Sequence, residues 1–503
     1  MEALTKTRPI ANNLELYFEP FRYHIVGNDQ MYETPYGKKR IVYADWTASG
    51  RLYRPIEERL LNEIGPFVGN THTETTVTGS TMTAAYHEAK HIIKQHIGAA
   101  HRDVLISSNS GMTGVVNKFQ RILGLKVHEK HRPQIVLPEE ERPVVFVTHM
   151  EHHSNQTSWL ETLAQVEIIR PTAEGLVDLN DLLRLLDKYK NRRTKIAAIT
   201  SCSNVSGLFT PYHEIAAIMH QHGGLCFVDF ACSAPYIEIN MRPDDPLQHL
   251  DAIYFSPHKF LGGPGTTGIL VFDPKLYTNR VPDNPGGGTV DWTNPWGAHK
   301  YIDEIEARED GGTPAFLQTI QVALCFQLKA EMGISQMLQR EKELLERVWE
   351  RFDRLPRLHV LAGHLRERLG VISFYIEGLH YNLAVKLLND RFGVQMRGGC
   401  SCAGTYGHYL LEVSPGYSKM ITDEISHGNL SHKPGWVRMS IHPTTTNDEL
   451  DFILDAVDAV YHNFEAWGND YTYNRKTNEF AHKQEIKTEI VQNWFSKKLS
   501  DGI

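Results

Sequence analysis

Ala252-Ile253-Tyr254-Phe255-Ser256-Pro257-His258-Lys259-Phe260-Leu261-Gly262-Gly263-Pro264-Gly265 runs from a short, wholly apolar segment into an isolated lysine and a glycine-rich turn. A continuous apolar run of this length, bounded by turn residues, reads as a strand buried on both faces. A lysine just beyond such a strand is either a solvated cation or an amine held beside an anion. Its surroundings in the fold decide which.

The same texture recurs on both sides of this stretch. Residues 104–107, 144–148, 166–170, 196–200, 225–229 and 269–272 are further strand candidates, and 113–123, 179–189 and 212–222 carry helical periodicity between some of them. Apolar strands alternating with amphipathic helices predict an α/β fold, a mostly parallel sheet covered on both faces. In such a fold ligands bind at the carboxyl ends of the strands, where loops carrying His152, Asn204, Asp229 and Lys259 would emerge.

Working outward, residues 1–40 read as an N-terminal arm with a basic patch at Lys38-Lys39-Arg40, and 41–320 as the large domain. A helix opens it near Thr78, with Ser80 or Thr81 as cap and Gly98 as its stop. After the glycine clusters at 286–288 and 311–312, helices at 335–354, 382–391 and 448–463 and strands near 371–376, Val394 and Val437 predict a smaller α+β C-terminal domain at 321–470. Within it, the polar stretch 404–434 reads as an insertion loop. Residues 471–503 form a C-terminal tail.

Composition narrows the class of partner. With 41% hydrophobic and 22% charged residues in 503, the chain has the make-up of a soluble globular protein, and a net charge of -8 argues against nucleic acid or an anionic membrane as partner. No signal-like apolar core precedes Tyr17 and no run has membrane-spanning length, so the expected location is cytoplasmic and the expected partner small. The six cysteines are few, several lie in apolar segments as free thiols do, and only Cys400-Ser401-Cys402 forms a close pair.

Asp229 ends the apolar run 225–228, about thirty residues before Lys259. A buried carboxylate is costly without a cationic or strongly donating partner. It serves either as a helix cap or as the partner of a protonated pyridine nitrogen, and the second use pairs with Lys259 to fit pyridoxal 5'-phosphate, which needs a lysine for its Schiff base and an acid at its ring. Ser110-Gly111-Met112-Thr113 offers backbone donors for a phosphate at a helix start, and Ser256 and His258 offer side-chain donors to the same group. The run Glu151-His152-His153 brings imidazoles to cover a ring. As metal ligands these three suit less well, because neighbouring side chains in extended chain point oppositely and a further ligand is not evident; no residue is assigned to a metal.

Taken in order, Glu151-His152-His153, Ser203-Asn204-Val205-Ser206-Gly207, Val228-Asp229-Phe230-Ala231, Ser256-Pro257-His258-Lys259 and Gly312-Thr313-Pro314 resemble the class V aminotransferase-like family of fold type I pyridoxal phosphate enzymes, in particular its cysteine desulfurases and selenocysteine lyases. The resemblance runs from about Tyr43 to Phe452. It implies a cysteine desulfurase-like or selenocysteine lyase-like homodimer that removes sulfur or selenium from a small amino acid through a Lys259 aldimine and a cysteine persulfide, with a sulfur-acceptor protein as further partner. By the same resemblance, Asp229 pairs with the ring nitrogen, and His152 stacks on the ring and helps move protons. Asn204 lies near the ring hydroxyl and the substrate carboxylate. Gly111, Met112, Thr113, Ser256 and His258 belong to the cofactor site, with Thr313 reaching the phosphate from the neighbouring subunit. Arg438 and Arg397 hold the substrate carboxylate, and Cys402 is the thiol nucleophile. Three residues after Asp229, where many desulfurases have a glutamine, stands Cys232, with Ser233 as a substitute donor. Other class V reactions, by aminotransferases, epimerases and C–S lyases, share the cofactor residues and leave Cys402 non-catalytic.

Overall fold

A computed structural model describes residues 11–71, 73–484 and 490–499. The start of the arm and parts of the tail lie outside them. Seven strands form the central sheet: β1 (Val104–Ser108), β2 (Val144–Thr148), β3 (Gln165–Ile169), β4 (Lys195–Thr200), β5 (Leu225–Asp229), β6 (Ala252–Phe255) and β7 (Gly268–Phe272), in the order β1-β7-β6-β5-β4-β2-β3. The pairs from β3 to β6 are parallel, and only β7 runs against its neighbours β1 and β6. The expected mostly parallel α/β sheet is therefore present.

Most of these strands are continuously apolar because both faces of the sheet are covered; β3, at the edge, carries Gln165 and Glu167 and is half-buried. Along β2 and β6, Phe146, Ile253 and Phe255 face one layer, with the helices Leu179–Lys188 and Tyr212–Gln221 behind it. Val145, Val147, Ala252 and Tyr254 face the other, filled by Val115, Phe119 and Ile122 of the helix Gly111–Ile122. Alternate side chains of a strand point to opposite faces, so each strand serves two cores at once.

A second sheet, all antiparallel, is ordered Leu358–Val360, Val371–Ile376, Trp436–Ser440, Arg397–Gly399 and packs on the helices Ile334–Phe352, Tyr381–Phe392 and Asn447–Trp467. Val42 and Ala44, which the sequence reading places at the start of the large domain, belong to this core, and Val42–Tyr43 pairs in parallel with Val394–Gln395. The described part of the arm holds a helix Leu14–Tyr23 and a hairpin of Met31–Thr34 and Gly37–Arg40. The helix expected from Thr78 starts at Val77, capped by Thr76, whose side-chain oxygen accepts the Gly79 N–H at 3.3 Å, while Ser80 Oγ donates to the Thr76 carbonyl at 2.9 Å.

The stretch 404–434 is not a loop. It carries the helices Gly404–Leu410 and Pro415–Ser426, the second begun by Ser414 as cap and Pro415 in the first turn. Only Ile421 of that second helix is buried, so there is little apolar periodicity to read. Among the described residues no helix is long and apolar enough to cross a membrane.

Candidate active site

A cavity of about 460 Å³ opens at the carboxyl ends of the parallel strands, between the two sheets. It is lined by Gly111, Met112, Thr113, His152, Asn204, Asp229, Ser256, His258, Lys259, Arg397, Cys402 and Arg438, whereas Thr313 is exposed and does not line it.

Asp229 is the last residue of β5, and Lys259 follows the end of β6 on a single turn of 3-10 helix. Burial raises the Asp229 pKa to about 6, opposed by the Ala231 N–H donating to its carboxylate at 2.8 Å and by the Lys259 charge. Burial likewise lowers the Lys259 pKa, against the pull of Cys232 and Asp229, and no hydrogen bond or ion pair ties its Nζ among the described residues.

Facing these two is the start of the helix Gly111–Ile122. Ser110 and Gly111 both have positive φ, 68° and 59°, which turns the chain so that the Met112 N–H donates to Ser256 Oγ at 2.8 Å. A Cβ on Gly111 would lie 2.9 Å from that oxygen, so the cradle requires glycine. Thr113 Oγ1 is 2.6 Å from Ser154 Oγ, joining this helix start to the next one. His258 is brought down to about 4 by burial and by Lys259 beside it.

His152 caps the helix His153–Leu160 by accepting the Ser154 N–H at Nδ1, 3.1 Å. That bond leaves the ring hydrogen on Nε2, and burial with the nearby Lys259 charge drops its pKa to about 3, so the ring is neutral. Its two neighbours do not converge with it. Glu151 is buried among Thr148, Asn155 and the Thr200 N–H, where burial lifts it to about 7. His153 instead accepts the Gly404 N–H at 2.9 Å. The three side chains of this run thus turn to different partners.

The mouth of the cavity comes from the second sheet. Arg438, 3% exposed, donates to Asp45 Oδ1 at 2.8 Å and to the Asn204 carbonyl at 3.2 Å, while Arg397 donates to Asp45 Oδ2 at 3.0 Å. Asp45 thus bridges two guanidinium groups, a role that sequence reasoning missed; its only local signal is a carboxylate directly after the apolar run 41–44. Asn204 donates to the Ser401 carbonyl at 2.8 Å, and its Oδ1 is buried with no partner. Ser401 and Cys402 have φ of 50° and 56°, and Cys402 is an exposed free thiol.

Cys232, in place of a glutamine, also lines the cavity. Its thiol donates to the Ser203 carbonyl at 3.6 Å, and neighbouring Cys202, with Lys259 and Arg438, lowers its pKa against burial. Ser233 is not the substitute donor that its position promised. It is fully buried, 2.6 Å from Ser201 Oγ, and does not line the cavity.

Comparison with known proteins points the same way. The model of the family described as aminotransferase class-V matches residues 42–453. A probable cysteine desulfurase of Staphylococcus epidermidis is 28% identical over 74% of this chain and 85% of its own length, and one of Staphylococcus aureus is 28% identical over 73% and 84%. Among solved structures, the apo cysteine desulfurase of Thermococcus onnurineus superposes with a TM-score of 0.68 at 23% identity, covering 84% of this chain and 95% of that one. The Escherichia coli cysteine desulfurase CsdA, in its S-sulfonic acid form, gives 0.68 at 21% identity over 88% and 98%.

Proposed function

The chain belongs to the class V aminotransferase family, and on that premise we propose that it is a pyridoxal phosphate enzyme of cysteine desulfurase or selenocysteine lyase type, acting on a small amino acid. The observation that carries this reading is the convergence on one cavity of an unpaired Lys259, a buried Asp229 and a glycine-turned helix start, with two arginines and a thiol at its mouth.

The residues present fit the cofactor. Asn204 Oδ1 is a buried acceptor in want of a donor, and Asp229 is a buried carboxylate in want of a cation. Lys259 would hold the aldehyde carbon, Asp229 the ring nitrogen, His152 the ring face, and Gly111, Met112, Thr113, Ser256 and His258 the phosphate. Thr313 would join them from the neighbouring subunit of a homodimer. When bound, pyridoxal phosphate supplies an electron sink for charge developing at the substrate α-carbon.

The chain's own groups divide the remaining work. Arg438 and Arg397, aligned by Asp45, hold the substrate carboxylate in bidentate fashion. The Lys259 amine, whose proton affinity burial has lowered, takes the α-proton and returns it, with neutral His152 beside it. Cys402 Sγ gives up its proton and attacks the substrate sulfur, so that an S–S bond forms on the enzyme as the C–S bond breaks; the β-carbon takes up a proton in exchange and, from cysteine, alanine departs. Its exposure leaves the transferred sulfur open to an acceptor protein.

Incubation of the purified protein with cysteine tests this. Alanine and sulfide should form with added thiol, and Cys402→Ser should abolish both while keeping the cofactor absorbance. Unchanged turnover in that variant would overturn the desulfurase reading in favour of another class V reaction.

A further inference from the structure

Cys202 and Cys232 both line the cavity, and the reaction derived above uses neither. They come from neighbouring strands. β4 and β5 pair in parallel with Thr200 opposite Asp229, and each cysteine stands on the chain just beyond its strand end. Neighbouring strands run about 4.8 Å apart, within the Cα separations of about 4.4–6.8 Å that a disulfide spans.

One oxygen brings the two sulfurs together. The Ser203 carbonyl lies 3.7 Å from Cys202 Sγ and 3.6 Å from Cys232 Sγ, and it also accepts the Gly207 N–H at 3.0 Å. A carbonyl oxygen has two lone pairs. With one given to Gly207, a single lone pair remains for two thiols, which therefore crowd one position instead of finding separate partners. Both are buried free thiols that border the cavity, whereas Cys226 and Cys325, equally buried, do not border it.

The two are not equivalent. Burial holds the Cys202 thiol protonated, while the Cys232 pKa is lowered, first by its neighbour Cys202 and then, against burial, by the charges of Lys259 and Arg438. A more acidic sulfur beside a protonated one divides the work between an attacking and a resolving cysteine.

We propose that Cys202 and Cys232 are a reversible dithiol–disulfide pair, oxidised by a small peroxide that enters the cavity. Cys232 Sγ attacks one peroxide oxygen, the O–O bond breaks, and the departing hydroxide takes up the thiol's proton as water. Cys202 Sγ then attacks the sulfur of the resulting sulfenic acid, and its proton leaves with the hydroxyl as a second water. Two thiols lose two electrons, and one hydrogen peroxide is reduced to two waters.

The consequence passes through Ser203 to the residue after it. The Asn204 carbonyl accepts from Arg438 at 3.2 Å, and Asn204 Nδ2 donates to the Ser401 carbonyl at 2.8 Å. Drawing the sulfurs into a bond of about 2.05 Å takes both S–H donors from the Ser203 carbonyl and pulls on its turn. Oxidation thereby slackens the hold on the carboxylate-binding arginine and on the thiol loop, and reduction restores it.

The test uses the full-length protein purified with its cofactor, treated with a small excess of hydrogen peroxide, alkylated under denaturing conditions and digested. Mass spectrometry should find the Cys202 and Cys232 peptides cross-linked in most chains, and separate again after dithiothreitol. Cys202→Ala and Cys232→Ala should each abolish the cross-link, and Cys402→Ser should keep it; if one of the buried variants fails to fold, the other decides. In Cys402→Ser, which removes the exposed thiol as a target, peroxide should also weaken alanine binding by about fivefold or more, since small displacements of positioning groups are costly. That affinity, read from the cofactor absorbance, should recover on reduction and should not respond to peroxide when Cys232→Ala is added. No cross-link in the parent, a cross-link to Cys400 or Cys402 in its place, or unchanged alanine affinity in the cross-linked protein overturns the proposal. The cross-link is read without turnover, so it holds or fails separately from the desulfurase reading on which the alanine measurement rests.

Discussion

The Asp45 carboxylate lies 2.8 Å from a guanidinium nitrogen of Arg438, and both groups are largely buried, at 13% and 3% side-chain exposure. Breaking a buried pair from one side leaves an uncompensated charge, at a cost of about 3–5 kcal/mol. Asp45→Ala should therefore lower stability by about 3 kcal/mol in urea unfolding. Since Arg397 is released by the same change, KM for the amino acid should rise by about tenfold or more. A variant as stable as the parent would show that Arg438 finds another partner.

Gly111→Ala tests the phosphate cradle. Its φ of 59° and the 2.9 Å approach of a new Cβ to Ser256 Oγ both oppose the substitution. A left-handed non-glycine residue costs roughly 1–2 kcal/mol. Moving Ser256 would also loosen its bond from the Met112 N–H. Titration of the apoprotein should show pyridoxal phosphate bound about tenfold more weakly, with the far-ultraviolet circular dichroism unchanged; unaltered affinity would remove this helix start from the phosphate site.

Most strands of the central sheet were legible because they are buried on both faces and so are written as apolar runs; the edge strand Gln165–Ile169, half-buried and carrying Glu167, is the exception. The helix Pro415–Ser426 was not legible, since it buries only Ile421 and its exposed turns give no periodicity. Asp45 was hidden for a different reason. The short strand Val42–Tyr43 pairs with Val394–Gln395, far away in sequence, and this pairing carries Asp45 to the arginines. Local patterning records what a segment is. It does not record which distant segment it lies beside.

Asp229 makes the stability of the apoprotein depend on pH. Its folded pKa of about 6 lies above the unfolded value, so its contribution is fully present below about pH 4 and is lost as pH rises through 6. The loss amounts to about 3 kcal/mol. Glu151 and Glu341, raised by burial to about 7 and about 8, act in the same direction, while Lys329, lowered to about 7, opposes them above neutrality. In urea unfolding of the apoprotein, Asp229→Asn should remove part of the slope between pH 4 and 6 and be more stable than the parent at pH 7.5. Equal slopes in the two proteins would mean that Asp229 ionises in the empty site at the same pH as in the unfolded chain.

His153 is bonded to the stretch that carries Cys402. Its backbone N–H donates to the Cys402 carbonyl at 2.7 Å, and its Nε2 accepts the Gly404 N–H at 2.9 Å, so one residue clamps the chain on both sides of Ala403. Asn204 holds the Ser401 carbonyl from the other direction. Ser401 and Cys402, both with positive φ, are strained by about 1–3 kcal/mol each and keep that conformation only while these bonds over-determine it. His153→Ala removes the side-chain bond and leaves the backbone one. The Gly404 amide should then exchange its hydrogen at least tenfold faster, and sulfur transfer through Cys402 should slow, whereas the cofactor absorbance and the affinity of the apoprotein for pyridoxal phosphate should not change. His153→Gln, whose side-chain oxygen can accept the same N–H, should recover part of both losses. Loss of cofactor binding in His153→Ala would instead place this imidazole with His152 at the ring.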